Sequence, residues 1–187
     1  YHKVTGVQTC ALPISCILFF LCVALCLAND EIYEMGTLEN PKENLPFNDD
    51  VTVKTLYMPE DCSDMAMDGD QLGVHYTGYL YTNGKKFDSS LDRHRIFPVT
   101  LGEHRVIKGW EKGLWGMCVG EKRRLVIPAG LAYGNRGAGD LIPAGATLVF
   151  DVELIGIRGK GKYANKFLVS TNTLLLHNQY TCLRDLD

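Results

Sequence analysis

The chain has 187 residues and a formal net charge of −3, room for one ordinary domain with flanking segments, since single cores run to about 100–150 residues. Its densest basic run is Lys122-Arg123-Arg124, too short for a stripe that tracks phosphates, so nucleic acid is excluded as a partner. With 46% hydrophobic residues the chain is not disordered as a whole, but its apolar residues crowd toward the N-terminus.

Residues 1–13, YHKVTGVQTCALP, lack an initiating Met and read as a non-native leader. Residues 14–28, ISCILFFLCVALCLA, form an uncharged run of about 15 residues ending in a small residue. A spanning helix wants about 20 apolar residues, whereas a signal-peptide core fits this length. Cleavage after Ala28 and secretory entry are expected, with no stable membrane span afterwards. Of the seven cysteines, Cys10, Cys16, Cys22 and Cys26 lie upstream of that point, leaving Cys62, Cys118 and Cys182. These show no Cys-x-x-Cys spacing and no clustered histidines, so neither a metal site nor a cofactor is expected. Any two of the three could pair in an oxidising compartment.

Residues 29–50 are acidic, polar and broken by Pro41 and Pro46, and read as a linker or mobile arm. From Val51 the texture changes to short alternating runs divided by Gly, Pro and Asn, the pattern of antiparallel strands. In QLGVHYTGYLY, Leu72, Val74, Tyr76 and Leu80 share one face and Gln71, His75, Thr77 and Tyr79 the other. The run ends at Asn83-Gly84, read as a type I′ hairpin turn with two positive φ angles, and returns through Lys86-Phe87-Asp88. RIFPVTLG and KRRLVIP read as strands, the latter stopped by Pro128. The longest strand is ATLVFDVELIGI, with Leu148, Phe150, Val152 and Leu154 on one face. Between them VIKGWEKGLW is the one helical stretch. At 100° per residue Ile107, Trp110 and Leu114 share a face, and Trp115 lies about 140° from Trp110. Five or six strands and one helix make an α+β domain over residues 51–158, the helix covering the sheet's apolar face.

The usual catalytic signatures are missing: no G-x-S-x-G elbow, phosphate loop or H-E-x-x-H. His75, Asp88 and Ser89 have no context for a nucleophilic triad. YGNRGAGD is rich in glycine but precedes a strand, and DCSDMAMDGD lacks the oxygen ligands and flanking helices of a calcium hand. What remains is aromatic. Tyr76, Phe87, Phe97, Trp110, Tyr133 and Phe150 come from separate segments and either fill a core or line a cleft. One helix cannot cover a whole five-stranded face, and Asp88 and Arg93 stand beside these aromatics as polar groups do at a cleft rim.

The blocks VHYTGYL, NGKKFDSS, FPVTLGEHRVIKGWEKGL, MCVGEKRRLVIP, LAYGNRG and IPAGATLVFDVELI, in this order, resemble the FKBP-type peptidyl-prolyl cis-trans isomerases of the secretory pathway. The resemblance spans about residues 51–158. It implies a five- to six-stranded antiparallel half-barrel wrapped around one short helix, with the pocket between. It implies isomerisation of X-Pro bonds, proline-containing polypeptides as substrates and macrolide immunosuppressants as ligands. By the same resemblance Trp110 floors the pocket under the proline ring, Tyr76, Phe87, Phe97 and Phe150 wall it, and Val106 and Ile107 form the rim. Asp88, held by Arg93 and Tyr76, faces the bound amide, Tyr133 offers its hydroxyl to a substrate carbonyl, and Leu141 and Ile142 border the mouth. Ala138 stands where many cytosolic members have a histidine. The resemblance also implies a Cys62–Cys118 disulfide.

An alternative from another class is a non-turnover chaperone or interaction module on the same fold, to which the retained Asp88, Trp110, Tyr76 and Phe150 speak against. A monomer in the lumen of the endoplasmic reticulum is expected. Residues 159–187 are unassigned and carry no Lys-Asp-Glu-Leu-type retrieval signal, so secretion is the alternative location.

Overall fold

The computed structural model of the protein describes residues 32–160. The expected leader, the expected signal core and nearly all of the C-terminal segment, Cys182 included, lie outside the described residues. Among the elements that lie wholly within the described residues, six strands and one α-helix follow in the order β1 (Thr52–Tyr57), β2 (Gln71–Leu80), β3 (Lys86–Ser89), β4 (Phe97–Thr100), α1 (Lys108–Leu114), β5 (Lys122–Ile127) and β6 (Leu148–Ile157). All strand pairings are antiparallel, in the spatial order β1-β5-β6-β2-β3, with β4 also paired to β2. This is the expected α+β half-barrel.

Alternation along the two ten-residue strands sets the inner face. Leu72, Val74, Tyr76 and Leu80 of β2 are buried, as are Leu148, Phe150, Val152 and Leu154 of β6. The register places Tyr76 opposite Val152, and Gly78 opposite both Phe150 and Asp88. Against this face lies α1, with Gly109, Trp110, Gly113 and Leu114 buried. The two glycines are needed for the approach: a Cβ on Gly109 would stand 2.4 Å from Cγ2 of Ile127, and one on Gly113 would stand 2.7 Å from Cδ1 of Leu125.

Three local expectations are corrected. The β2–β3 connection is not a two-residue type I′ turn. It runs from Tyr81 to Lys85, only Gly84 has positive φ (67°), and Gly84 N donates to Leu80 O at 2.9 Å. A register shift between Gly78 and Tyr79 removes the matched hairpin that a type I′ turn would close. The helix is shorter than VIKGWEKGLW, because Ile107 (ψ 147°) and Trp115 (ψ 135°) are both extended. Trp115 therefore leaves the helix before helical periodicity can aim it, and it is 53% exposed.

Residues 33–50 do not form a free linker. Gly36 N donates to Tyr81 O at 2.7 Å and Lys42 N to Thr82 O at 2.8 Å. Asn44 and Leu45 exchange hydrogen bonds with Thr147 at 2.8 Å each, and Met35 and Leu45 pack on Tyr81, Val126 and Val149. The segment covers apolar side chains on the sheet's second face, which explains why Val149 is fully buried although it alternates with the inner face.

Candidate functional site

Four strands, the helix and two loops deliver side chains to one cavity of roughly 320 Å³. Trp110 of α1 belongs to its lining, 4% exposed, with its ring edge-on to Tyr76 (centroids 5.1 Å apart), Phe150 (5.3 Å) and Phe97 (5.9 Å). Phe87 meets Phe150 edge-on at 5.6 Å. Gly78 makes room for that pair, because a Cβ there would come within 2.6 Å of the Phe87 ring and 3.0 Å of Phe150. The indole Nε1 is buried and has no hydrogen-bond partner among the described residues, so the floor offers aromatic faces and one unsatisfied donor. Val106 and Ile107, in the extended entry to the helix, complete one side.

The polar groups are confined to one wall. Tyr76 OH donates to Oδ2 of Asp88 at 2.5 Å, Arg93 Nη2 donates to Tyr76 OH at 2.9 Å, and Arg93 Nη1 donates to Oδ1 of Asp88. Oδ1 also accepts from Ser89 N at 2.8 Å. Burial alone would raise the Asp88 pKa, but the Arg93 and Tyr76 hydrogen bonds outweigh it and hold the carboxyl below its usual range. For Tyr76 burial and the Asp88 carboxylate act together, and its hydroxyl is pushed up to about 12. Asp88 is thus a fixed anion and Tyr76 a fixed neutral donor at ordinary pH. Tyr133, an exposed side chain of the cavity lining, has its pKa raised by partial burial of the hydroxyl and then by the Asp88 charge.

Buried serines support this wall from behind. Ser90 Oγ accepts from Tyr76 N at 2.9 Å and lies 3.0 Å from His75 Nδ1, while Ser89 Oγ donates to Tyr76 O at 3.1 Å. His75 is therefore turned to Ser90 and lies outside the cavity lining that holds Asp88.

Most of the expected set meets in this cavity: Tyr76, Phe87, Asp88, Phe97, Val106, Ile107, Trp110, Tyr133 and Phe150 line it. Arg93 reaches it through Asp88 and Tyr76. Leu141 and Ile142 are not among the lining residues. Ala138 and Ile142 form a small antiparallel bridge, which turns Ile142 into the core and leaves Leu141 51% exposed. Arg105 lines the cavity and escaped the sequence reading, although it directly precedes Val106. Its loop is fastened by Glu111, whose carboxylate accepts from Gly102 N at 2.7 Å and His104 N at 3.1 Å.

The far end of the helix is fastened as well. Arg123 donates to the carbonyls of Gly113 (2.9 Å), Trp115 (3.1 Å) and Gly116 (3.0 Å), groups that a helix end otherwise leaves unpaired. Its charge is balanced by Glu121, a fully buried carboxylate 2.5 Å away that also accepts from Cys118 N at 2.8 Å. Cys118 is bonded to Cys62, with Cα atoms 5.2 Å apart.

The cavity has the shape and lining to suit a compact apolar ring, with the Asp88 carboxylate and the Tyr76 and Tyr133 side chains on its walls. The family described as FKBP-type peptidyl-prolyl cis-trans isomerase matches residues 62–155. FK506-binding protein 2B of Rhizopus delemar is 58% identical over 116 residues, covering 62% of this chain and 55% of its own length. The chain thus spans little more than half of that relative. FK506-binding protein 2 of Dictyostelium discoideum is 53% identical, with 59% of this chain and 82% of that protein covered. Peptidyl-prolyl cis-trans isomerase FPR2 of Saccharomyces cerevisiae is 56% identical over 53% of this chain and 73% of its own. Among solved structures, AtFKBP13 superimposes with a TM-score of 0.52 at 38% identity, covering 57% of this chain and 91% of that one.

Proposed function

The chain belongs to the family of FKBP-type peptidyl-prolyl cis-trans isomerases, and from that premise we propose that it accelerates rotation about X-Pro bonds in folding polypeptides, with the aromatic cavity as its site. The observation that carries this reading is the complete Tyr76–Asp88–Arg93 hydrogen-bond set on one wall of a cavity otherwise lined by apolar rings.

The chemistry asks for little. Amide resonance sets a rotation barrier of about 18–20 kcal/mol, and X-Pro isomerisation takes tens to hundreds of seconds. Turnover at about 1–1000 per second needs that barrier lowered by about 3–7 kcal/mol, at 1.4 kcal/mol per tenfold. No covalent step is required. A planar amide carries charge separation that is lost when the C–N bond twists, so an apolar cavity binds the twisted form better than either planar isomer. In this reading Trp110 supports the proline ring, while Phe87, Phe97 and Phe150 exclude water around it. Asp88, held by Arg93 and Tyr76, faces the amide, and Tyr133 anchors a substrate carbonyl.

Further parts of the proposal concern setting and ligands. The Cys62–Cys118 bond suits an oxidising compartment, and with the apolar run at 14–28 it supports a signal peptide and residence in the endoplasmic reticulum lumen. The names of the relatives, FK506-binding proteins, support the same cavity taking that macrolide in competition with substrate. Among the described residues no helix is long and apolar enough to cross a membrane. The protein is proposed to act as a monomer. A protease-coupled assay on a short Leu-Pro peptide tests the activity: catalysis suppressed by FK506 supports the proposal, and an uncatalysed rate at micromolar protein sinks it.

A further inference from the structure

Beside the proline cavity lies a second cleft of roughly 490 Å³. The two share Tyr76, Asp88 and Phe97, and the second is otherwise built by Arg93, Arg95, Ile96 and Pro98. The segment between β3 and β4 forms this wall as a tight turn, with His94 N donating to Leu91 O at 3.0 Å and Arg95 N to Ser90 O at 3.3 Å. His94 sits at φ 48°, a left-handed conformation sparsely populated by residues other than glycine. The turn brings Arg93 and Arg95 to one cleft.

The charges there do not cancel. Arg93 is committed to Asp88 and Tyr76, and nearby Asp92 is paired with Lys86 at 2.8 Å. Arg95 is exposed, and its guanidinium has no hydrogen bond or ion pair among the described residues. One anion and two cations line the cleft, leaving a formal charge of one positive unit beside apolar surface from Ile96, Phe97 and Pro98.

We infer that this cleft is a subsite for the substrate segment flanking the proline, and that Arg95 selects an acidic side chain there. The inference rests on the proposed isomerase activity. An extended chain advances about 3.3–3.6 Å per residue, so a cleft sharing a wall with the proline cavity receives the second or third residue to one side of the proline. Its apolar walls take the backbone and aliphatic stem, and the unpaired guanidinium meets the carboxylate.

The test compares kcat/KM, measured by NMR exchange without a coupling protease, for the full chain and Arg95→Glu. The peptides carry a central Leu-Pro with Glu, Ala or Lys two or three residues before or after the proline. The wild type is expected to favour Glu over Lys by about two- to fivefold on one side only, the range of a single exposed ion pair, and to lose the preference in 1 M salt. Arg95→Glu is expected to reverse the order. Equal rates for Glu, Ala and Lys peptides, an equal preference on both sides, or a preference that survives Arg95→Glu would overturn the subsite while leaving the isomerase reading standing. No turnover of the Ala peptide by the wild type would overturn both.

Discussion

The hydroxyl of Tyr76 donates to Oδ2 of Asp88 at 2.5 Å while accepting from Nη2 of Arg93 at 2.9 Å, so the tyrosine is clamped between an anion and a cation on the cavity wall. Its raised pKa, about 12, keeps it a neutral donor, and Arg93 keeps Asp88 ionised below the usual carboxylate range. With a lowered folded-state pKa, the stabilisation from ionised Asp88 is fully present above its unfolded value and is lost as pH falls through the folded one. Catalysis is expected to be level between about pH 5 and pH 9 and to fall only in strong acid. In Arg93→Ala burial acts against the charge with less opposition, so the acid limb of kcat/KM moves to higher pH. An unmoved limb would show that Asp88 does not govern it.

The approach of helix to sheet yields a test against helix propensity. Gly109→Ala gains about 1 kcal/mol of helix propensity, but its Cβ would lie 2.4 Å from a methyl of Ile127, a fully buried β-branched side chain. Overpacking of this kind costs about 1–3 kcal/mol. Net destabilisation is therefore expected in urea melts, and Gly109→Ala is expected to cost less in an Ile127→Ala background, where there is room for the methyl, than in the wild type. A Gly109→Ala protein more stable than the wild type, or a folded and fully active Gly109→Leu, contradicts the close-approach account.

Closing the 56-residue separation between Cys62 and Cys118 stabilises the fold by about 4 kcal/mol in the chain-entropy model. Cys62→Ser/Cys118→Ser is expected to unfold at lower urea with the cavity still formed, as judged by residual activity at low temperature. Intact mass with and without reductant, followed by peptide mapping, checks the bond itself. Two free thiols at these positions would remove it.

Arg123 and Glu121 fasten the end of the helix opposite the cavity entrance. Arg123→Leu leaves a buried carboxylate without its cation and three carbonyls without a donor, a loss of about 3–5 kcal/mol. Adding Glu121→Leu should recover part of that loss, because the uncompensated charge disappears. Single-variant losses below about 1 kcal/mol in the same melts would show that the pair does not hold the helix.

The sheet and the aromatic cavity were legible because both rest on patterns that survive in one dimension. Period-two alternation marks the inner faces of β2 and β6, and Tyr76, Phe87, Phe97, Trp110 and Phe150 sit in blocks with family spacing. The placement of residues 33–50 was not legible, since Gly36, Lys42, Asn44 and Leu45 dock through backbone and amide hydrogen bonds that need no periodicity. The turn at Asn83-Gly84 misled because the register shift after Gly78 is a property of the paired strands and leaves no mark in the turn residues. Arg105 and Arg95 are charged residues in loops, and only the folded chain shows that they line a cavity and that Glu111 of α1 fastens the loop carrying Arg105. The small bridge between Ala138 and Ile142 likewise decided that Ile142 packs inward while Leu141 stays in solvent.

The most direct measurement is the rate of cis–trans exchange in a Leu-Pro peptide, followed by NMR with catalytic amounts of the full chain, Asp88→Val and Trp110→Leu, each checked for native circular dichroism. Exchange is expected to be accelerated by the wild type to about 1–1000 per second, to lose at least about tenfold in both variants, and to be inhibited by FK506. Exchange at the uncatalysed rate with folded wild-type protein, or full activity in both folded variants, would contradict that expectation: the first would leave a binding module without turnover, and the second would place the chemistry outside this cavity.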